Sequence, residues 1–200
     1  MEIQVTLHWQ AVAMQALWSI LVRPFHDYYS PSFGSGVYVF VLSTKRGFYP
    51  YYVGESGDIG NRIFYHLKSY GGKSGDNYFA PRSFDDFARD PYDYIASGHL
   101  EKRGETFGEQ DYQREVKKLI RNTHFCFARV AGDAAQRQIV ESRLIAGLLD
   151  KVNPTGKEKG KGWIGDAKTV TVPETLKITH QCVDDRVKRF LERVWPVFHP

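Results

Sequence analysis

One stretch constrains this chain more than any other: Gly36 to His66, GVYVFVLSTKRGFYPYYVGESGDIGNRIFYH. Val37 to Leu42 is an unbroken apolar run rich in β-branched and aromatic residues, which fits a buried strand. Ser43 to Gly47 is polar and ends in glycine, as a hairpin turn requires, and Tyr49 to Val53 reads as the returning strand. Gly54 to Gly57 breaks that strand. Asp58 then supplies an N-cap, and Ile59 to Ser69 has helical spacing with Ile63 and Leu67 on its inward face. A strand, turn, strand and helix in this order bring Tyr38 and Tyr52 near each other on one small sheet. Arg62 and His66 are i and i+4 and share a helix face.

Two tripeptides stand out in this stretch: Gly36-Val37-Tyr38 and Tyr52-Val53-Gly54. Arg62 and His66 follow on the helix, and Glu141 and Asn153 lie further on in IVESRLIAGLLDKVNP. These six chemical positions, in this order, resemble the GIY-YIG nuclease family, with valine for isoleucine in both tripeptides. That exchange keeps the β-branched shape. The chain looks most like the family's compact, stand-alone restriction endonucleases, and the resemblance covers Gly36 to His66 and about Thr123 to Asn153.

The resemblance implies an α+β fold with a small antiparallel sheet of about three core strands flanked by helices. It also implies an endonuclease that hydrolyses phosphodiester bonds of double-stranded DNA at a specific sequence, with homodimerisation on a palindromic site as one arrangement. Tyr38 would take a proton from water with help from His66, and Tyr52 would orient the water or the phosphate. Arg62 would hold the phosphate, Asn153 would tie the helix end to the active-site loop, and Glu141 would bind one magnesium or manganese ion.

These residue types suit that chemistry. A guanidinium matches phosphate oxygens with a planar fork of donors and keeps its charge. A carboxylate is a hard oxygen ligand for such a cation. Tyrosine is a weak base when neutral, so a histidine titrating near neutrality has to assist it. The neighbouring readings are a structure-selective or nonspecific nuclease on DNA or RNA, and a nucleic-acid-binding module with an idle site. A different nuclease signature, an aspartate with an E-x-K pair, is loosely matched by Asp93 and Glu115-Val116-Lys117. Glu115 falls in a helical pattern, however, whereas that class places the pair on a strand.

At 200 residues the chain is expected to form one domain. A formal charge of +4 and a pI near 9.0 fit a polyanionic partner without requiring one. Cys126 and Cys182 belong to no CxxC or Cys/His cluster, so zinc is not expected, and a reducing, cytoplasmic setting is. Glu2 to Trp9 alternates and reads as a short strand. Ala11 to Val22 reads as a buried helix, too short to span a bilayer and lacking the features of a signal peptide.

Pro24 to Ser35 is an irregular approach to the first motif, whose Tyr28, Tyr29 and Phe33 either pack as a loop or line a substrate groove. KSYGGKSGDNYFAPRSFDDF, from Lys68, reads as a loop in which Lys68, Lys73 and Arg82 could hold phosphates. Lys157, Lys159 and Lys161 in a glycine-lysine loop could close over a phosphate backbone. Asp111 to Arg121 and Asp133 to about Val152 read as helices, the second capped by Asp133, and Thr123 to Val130 as a strand. Thr169 to Val172 suits an edge strand, and Val183 to Trp195 an amphipathic helix that caps the core or pairs with a second copy. No membrane partner is expected.

Overall fold

A computed structural model describes residues 3–21, 33–71, 79–97, 100–102, 108–152, 176–182 and 185. The expected strand at Thr169 to Val172, the helix from Val183, and Tyr28 and Tyr29 lie outside the described residues.

The hairpin read from the motif stretch forms as β2 (Gly36–Thr44) and β3 (Gly47–Ser56). β2 is buried from Gly36 to Leu42, as its apolar run demands. β3 contains Pro50, which a sheet edge tolerates because no ladder donor is needed on the outer side. The register shifts between Phe40 and Val41, so that Phe40 faces Tyr52 while Val41 faces Pro50, and Tyr51 is the extra residue of a bulge. The hairpin belongs to a five-stranded sheet of order β3-β2-β6-β1-β7. Its other members are β1 (Ile3–Ala13), β6 (Thr123–Arg129) and β7 (Leu176–Cys182).

The class is α+β, but two sequence expectations need correction. The sheet is larger than three antiparallel strands and is mixed, because β7 runs parallel to β1. The segment from Ala11 is not helical until Met14: Trp9 to Ala13 pair with β6, and the helix α1 is Met14–Leu21. A short apolar run satisfies either period, and an available β6 edge decides it.

The part from Lys68 to the helix expected at Asp111, whose first stretch to Phe87 reads as a loop, is more ordered than that among the described residues. It holds the two short strands β4 (Phe79–Pro81) and β5 (Leu100–Lys102), and the helices α3 (Phe84–Arg89) and α4 (Pro91–Ala96). Ser83 caps α3 by accepting from Asp86 N at 3.2 Å, and Asp90 caps α4 from Asp93 N at 3.2 Å with proline at the first turn. α5 (Glu109–Arg121) follows with Tyr112, Val116, Leu119 and Ile120 buried, the inward face its spacing predicts. Its basic outer face is partly neutralised within the chain. Arg114 reaches Asp111 at 2.8 Å and Lys118 reaches Asp85 at 3.1 Å.

α6 (Ala134–Val152) starts where Asp133 was expected to cap it. Asp133 Oδ1 accepts from Gln136 N at 2.9 Å, and Gln136 Oε1 accepts from Asp133 N at 3.2 Å, a reciprocal capping box. No helix among the described residues is long and apolar enough to cross a membrane.

Candidate active site

The site begins with α2 (Ile59–Tyr70), the helix after β3. Asp58 Oδ1 accepts from Asn61 N at 3.0 Å, a cap of the kind that contributes about 1 kcal/mol. Ile59 N donates to Gly34 O at 2.9 Å, and Val130 N donates to Ser35 O at 3.1 Å. The chain entering the first motif is thereby tied to both the helix start and the end of β6.

Both motif glycines have a steric reason. A Cβ on Gly36 would overlap the Ala128 carbonyl oxygen of β6, so only glycine allows the backbones to approach. Gly54 lies opposite Tyr38 across the hairpin, and a Cβ there would overlap the Cζ and Oη atoms of that tyrosine. The missing side chain is the space the phenol occupies.

Residues two apart on a strand share a face, so Tyr38 and Phe40 lie together and face Phe127 and Phe125 on β6. Tyr38 and Tyr52 have ring centroids 6.1 Å apart. From α2, His66 is 0% exposed and stands edge-on to three of these rings: Phe40 at 5.1 Å, Tyr52 at 5.3 Å and Tyr38 at 5.6 Å. Tyr38 Oη and His66 Nε2 are 2.8 Å apart, and Arg62 Nε donates to the same Oη at 3.3 Å. Arg62 and His66 therefore converge on one oxygen, as their i, i+4 spacing predicts.

Burial sets the protonation states. It holds the His66 imidazole well below its usual range, and the Arg62 charge adds to this. Burial pushes the Tyr38 phenol well above its usual range, with Tyr52 contributing in the same direction. Burial therefore favours a neutral imidazole at rest, and the tautomer decides whether its Nε2 accepts from or donates to the Tyr38 hydroxyl. Burial also raises Tyr52, opposed by Arg62. Arg62 is partly desolvated, which disfavours its charge, yet Tyr38 and Tyr52 together move its pKa up.

Glu141 arrives on α6 and is 8% exposed. It lies close enough to Tyr52 for its charge to push that phenol upward. The helix is pinned to β3 by Arg137 Nε and Glu55 at 3.2 Å, with both side chains largely buried. Tyr38, Tyr52, Arg62, His66 and Glu141 are thus neighbours in space. Asn153, Lys73, Lys157, Lys159 and Lys161 lie outside the described residues. Lys68 is exposed near the end of α2. Arg82 is exposed too, but it lines a hollow of about 410 Å³ with Arg89, Asp86, Asp90 and Asp93, where carboxylates outnumber cations even though Arg89 pairs with Asp86 at 3.2 Å. Phe33 packs on Phe127 at 4.5 Å and on Phe125 at 5.9 Å, which makes it a lid on that end of the aromatic cluster.

Among the described residues no three histidine, cysteine, aspartate or glutamate side chains group as a metal cage. Glu141 alone still fits magnesium or manganese, since such ions commonly take one or two carboxylates and complete their shell with water and substrate oxygens. The alternative Asp93/Glu115 pair does not form a centre. Glu115 sits on α5 and accepts from Phe84 N at 2.8 Å and from Arg114 Nε at 2.8 Å, holding the start of α3. The sequence does not single out Phe40 as a wall of the His66 pocket, Phe125 as the ring packed behind Tyr38 and Phe40, or the Glu55–Arg137 tie. For Phe40 the signal was its place two residues after Tyr38.

Compared with family models, curated proteins and solved structures, the chain matches none.

Proposed function

We propose that this protein is a metal-dependent endonuclease of the GIY-YIG type that hydrolyses DNA phosphodiester bonds, acting at a specific sequence. The observation that carries the reading is the Tyr38 hydroxyl held between His66 Nε2 at 2.8 Å and Arg62 Nε at 3.3 Å. Tyr52 stands beside it, and Glu141 lies near Tyr52.

A phosphodiester would bind to Arg62, whose side chain is exposed while its Nε reaches the buried phenol. Because Tyr38 is 1% exposed, the attacking water has to come in with the substrate on the Arg62 side. Forming a free phenolate at neutral pH would cost at least about 4 kcal/mol even for an ordinary tyrosine. The proton from water is therefore passed on in one motion: Tyr38 receives it as its own proton moves to His66 Nε2. The bound phosphate helps by partly neutralising Arg62, which removes one of the two causes that depress His66. Glu141 is the residue that would hold magnesium or manganese. When bound, such a cation stabilises negative charge on the phosphoryl and leaving oxygens. Tyr52, partly buried and adjacent to both Arg62 and Glu141, orients the phosphate between them.

The burial of Tyr38 favours a second reading, a nucleic-acid-binding module of the same fold whose tyrosines serve only the core. Incubation of the protein with long genomic DNA and magnesium, beside a Glu141→Ala variant, separates the two. Discrete fragments lost in the variant are expected. A smear would remove sequence specificity, and intact DNA with either metal, together with retained binding, would leave the second reading.

A further inference from the structure

Among the described residues Tyr65 is an exposed large apolar side chain, 39% accessible, one position before buried His66. Arg62, one turn earlier, places its guanidinium Cζ 5.6 Å from the Tyr65 ring centroid. Lys68, one turn later, is exposed as well. Residues three apart neighbour one another on a helix, so Arg62, Tyr65 and Lys68 form a ridge along α2 about 9 Å long. At one end is the guanidinium that touches Tyr38 Oη at 3.3 Å. Facing the core on the same helix are Ile59, Ile63 and Leu67, so packing makes no demand on Tyr65.

A cation, an exposed aromatic ring and a second cation in line suit a nucleic-acid strand, in which phosphates alternate with flat bases. We infer that Tyr65 is a substrate-positioning residue: its ring stacks on the base next to the phosphate held by Arg62, and Lys68 meets the following phosphate. A base is available for such stacking where the strand is unpaired or drawn out of the helix. This inference rests on the nuclease reading above. The Arg62 guanidinium already lies over the Tyr65 ring, which restrains it, so little side-chain freedom is lost when the base arrives.

The test is fluorescence anisotropy of the full chain without metal, using a fluorescein-labelled forked DNA, half duplex and half single-stranded. Tyr65→Ala is expected to weaken binding about five- to tenfold, the lower end of what base stacking contributes, while Tyr65→Phe restores it. Lys68→Ala is expected to lower the slope of log affinity against log salt by about one phosphate contact. Wild-type binding that Tyr65→Ala leaves unchanged overturns this inference alone. A wild-type chain that binds no forked DNA also overturns this inference, and one that in addition neither binds nor cuts long genomic DNA with magnesium overturns the nuclease reading with it.

Discussion

Replacing His66 with glutamine takes a proton-binding group out of the centre of the site while leaving an acceptor for the Tyr38 hydroxyl. In the folded protein, burial first and Arg62 second hold the imidazole well below its ordinary value of 6.5. The unfolded chain has no such constraint, so it takes up a proton as pH falls below about 6.5 while the native state stays neutral. A folded pKa below the unfolded one means that the stabilisation is complete above about pH 6.5 and is lost as pH falls toward the folded value.

The loss approaches about 1.4 kcal/mol per pH unit between the unfolded and folded values, which sets an upper limit of about 2 kcal/mol between about pH 7.5 and about pH 5. Glutamine does not titrate, and its poorer fit among three aromatic rings costs on the order of 1–2 kcal/mol at all pH values. Urea denaturation followed by tryptophan fluorescence should therefore show the wild type clearly more stable at about pH 7.5, with the gap narrowing by up to about 2 kcal/mol at about pH 5. Taking the difference between the two proteins cancels the other titrating groups. Parallel stability curves would refute the reasoning, because they would mean that His66 keeps an ordinary pKa in the fold.

Two further perturbations test the packing around the site. Gly36→Ala drives a Cβ into the backbone of β6, which no rotamer can relieve, and is expected to cost about 3 kcal/mol or more; Gly54→Ala meets the Tyr38 side chain and costs about 1–3 kcal/mol. Thermal unfolding that ranks them the other way would sink the steric account of the two glycines. Glu115 is held below its ordinary 4.5: burial opposes this, but Arg114, the Phe84 amide and Lys118 outweigh it. Its stabilisation is present above that value and is lost as pH falls toward the folded pKa. Glu115→Gln should cost about 1–3 kcal/mol near neutral pH and flatten the acid side of the pH–stability curve.

The motif half of the fold was legible because each of its elements carries a local signal. Val37 to Leu42 can hardly be anything but a strand, and Asp58 announces α2. What escaped had its signal diluted. β7 alternates as a strand should, with Leu176, Ile178 and His180 inward, but the third inward position is a histidine. It is buried because Trp9 Nε1 donates to its Nδ1 at 2.9 Å, a partner more than one hundred residues away that no local pattern reveals. Helices α3 and α4 were hidden by brevity, six residues each, although their caps Ser83 and Asp90 with Pro91 are plain in hindsight. The convergence of Arg62 and His66 followed from i, i+4 spacing. The burial that sets the protonation of His66 did not, since it depends on Phe40 and the two tyrosines packed around the ring.

The two halves of the site are held by different means. Tyr38, Tyr52, Arg62 and His66 come from one continuous stretch, so the hairpin and α2 suffice to assemble them. Glu141 enters only through β6 and α6, and its distance from Tyr52 depends on two long-range features. One is the pairing of Tyr38 with Phe127 and Phe40 with Phe125; a slip of one residue would turn both phenylalanines to the other face. The other is the Arg137–Glu55 tie, made one residue after Gly54. Gly36 guards the first by allowing an approach to Ala128 that only a residue without a side chain permits. The glycine that opens the first motif therefore acts away from the side chains of the candidate site: it permits the strand approach on which the placing of Glu141 near Tyr52 depends.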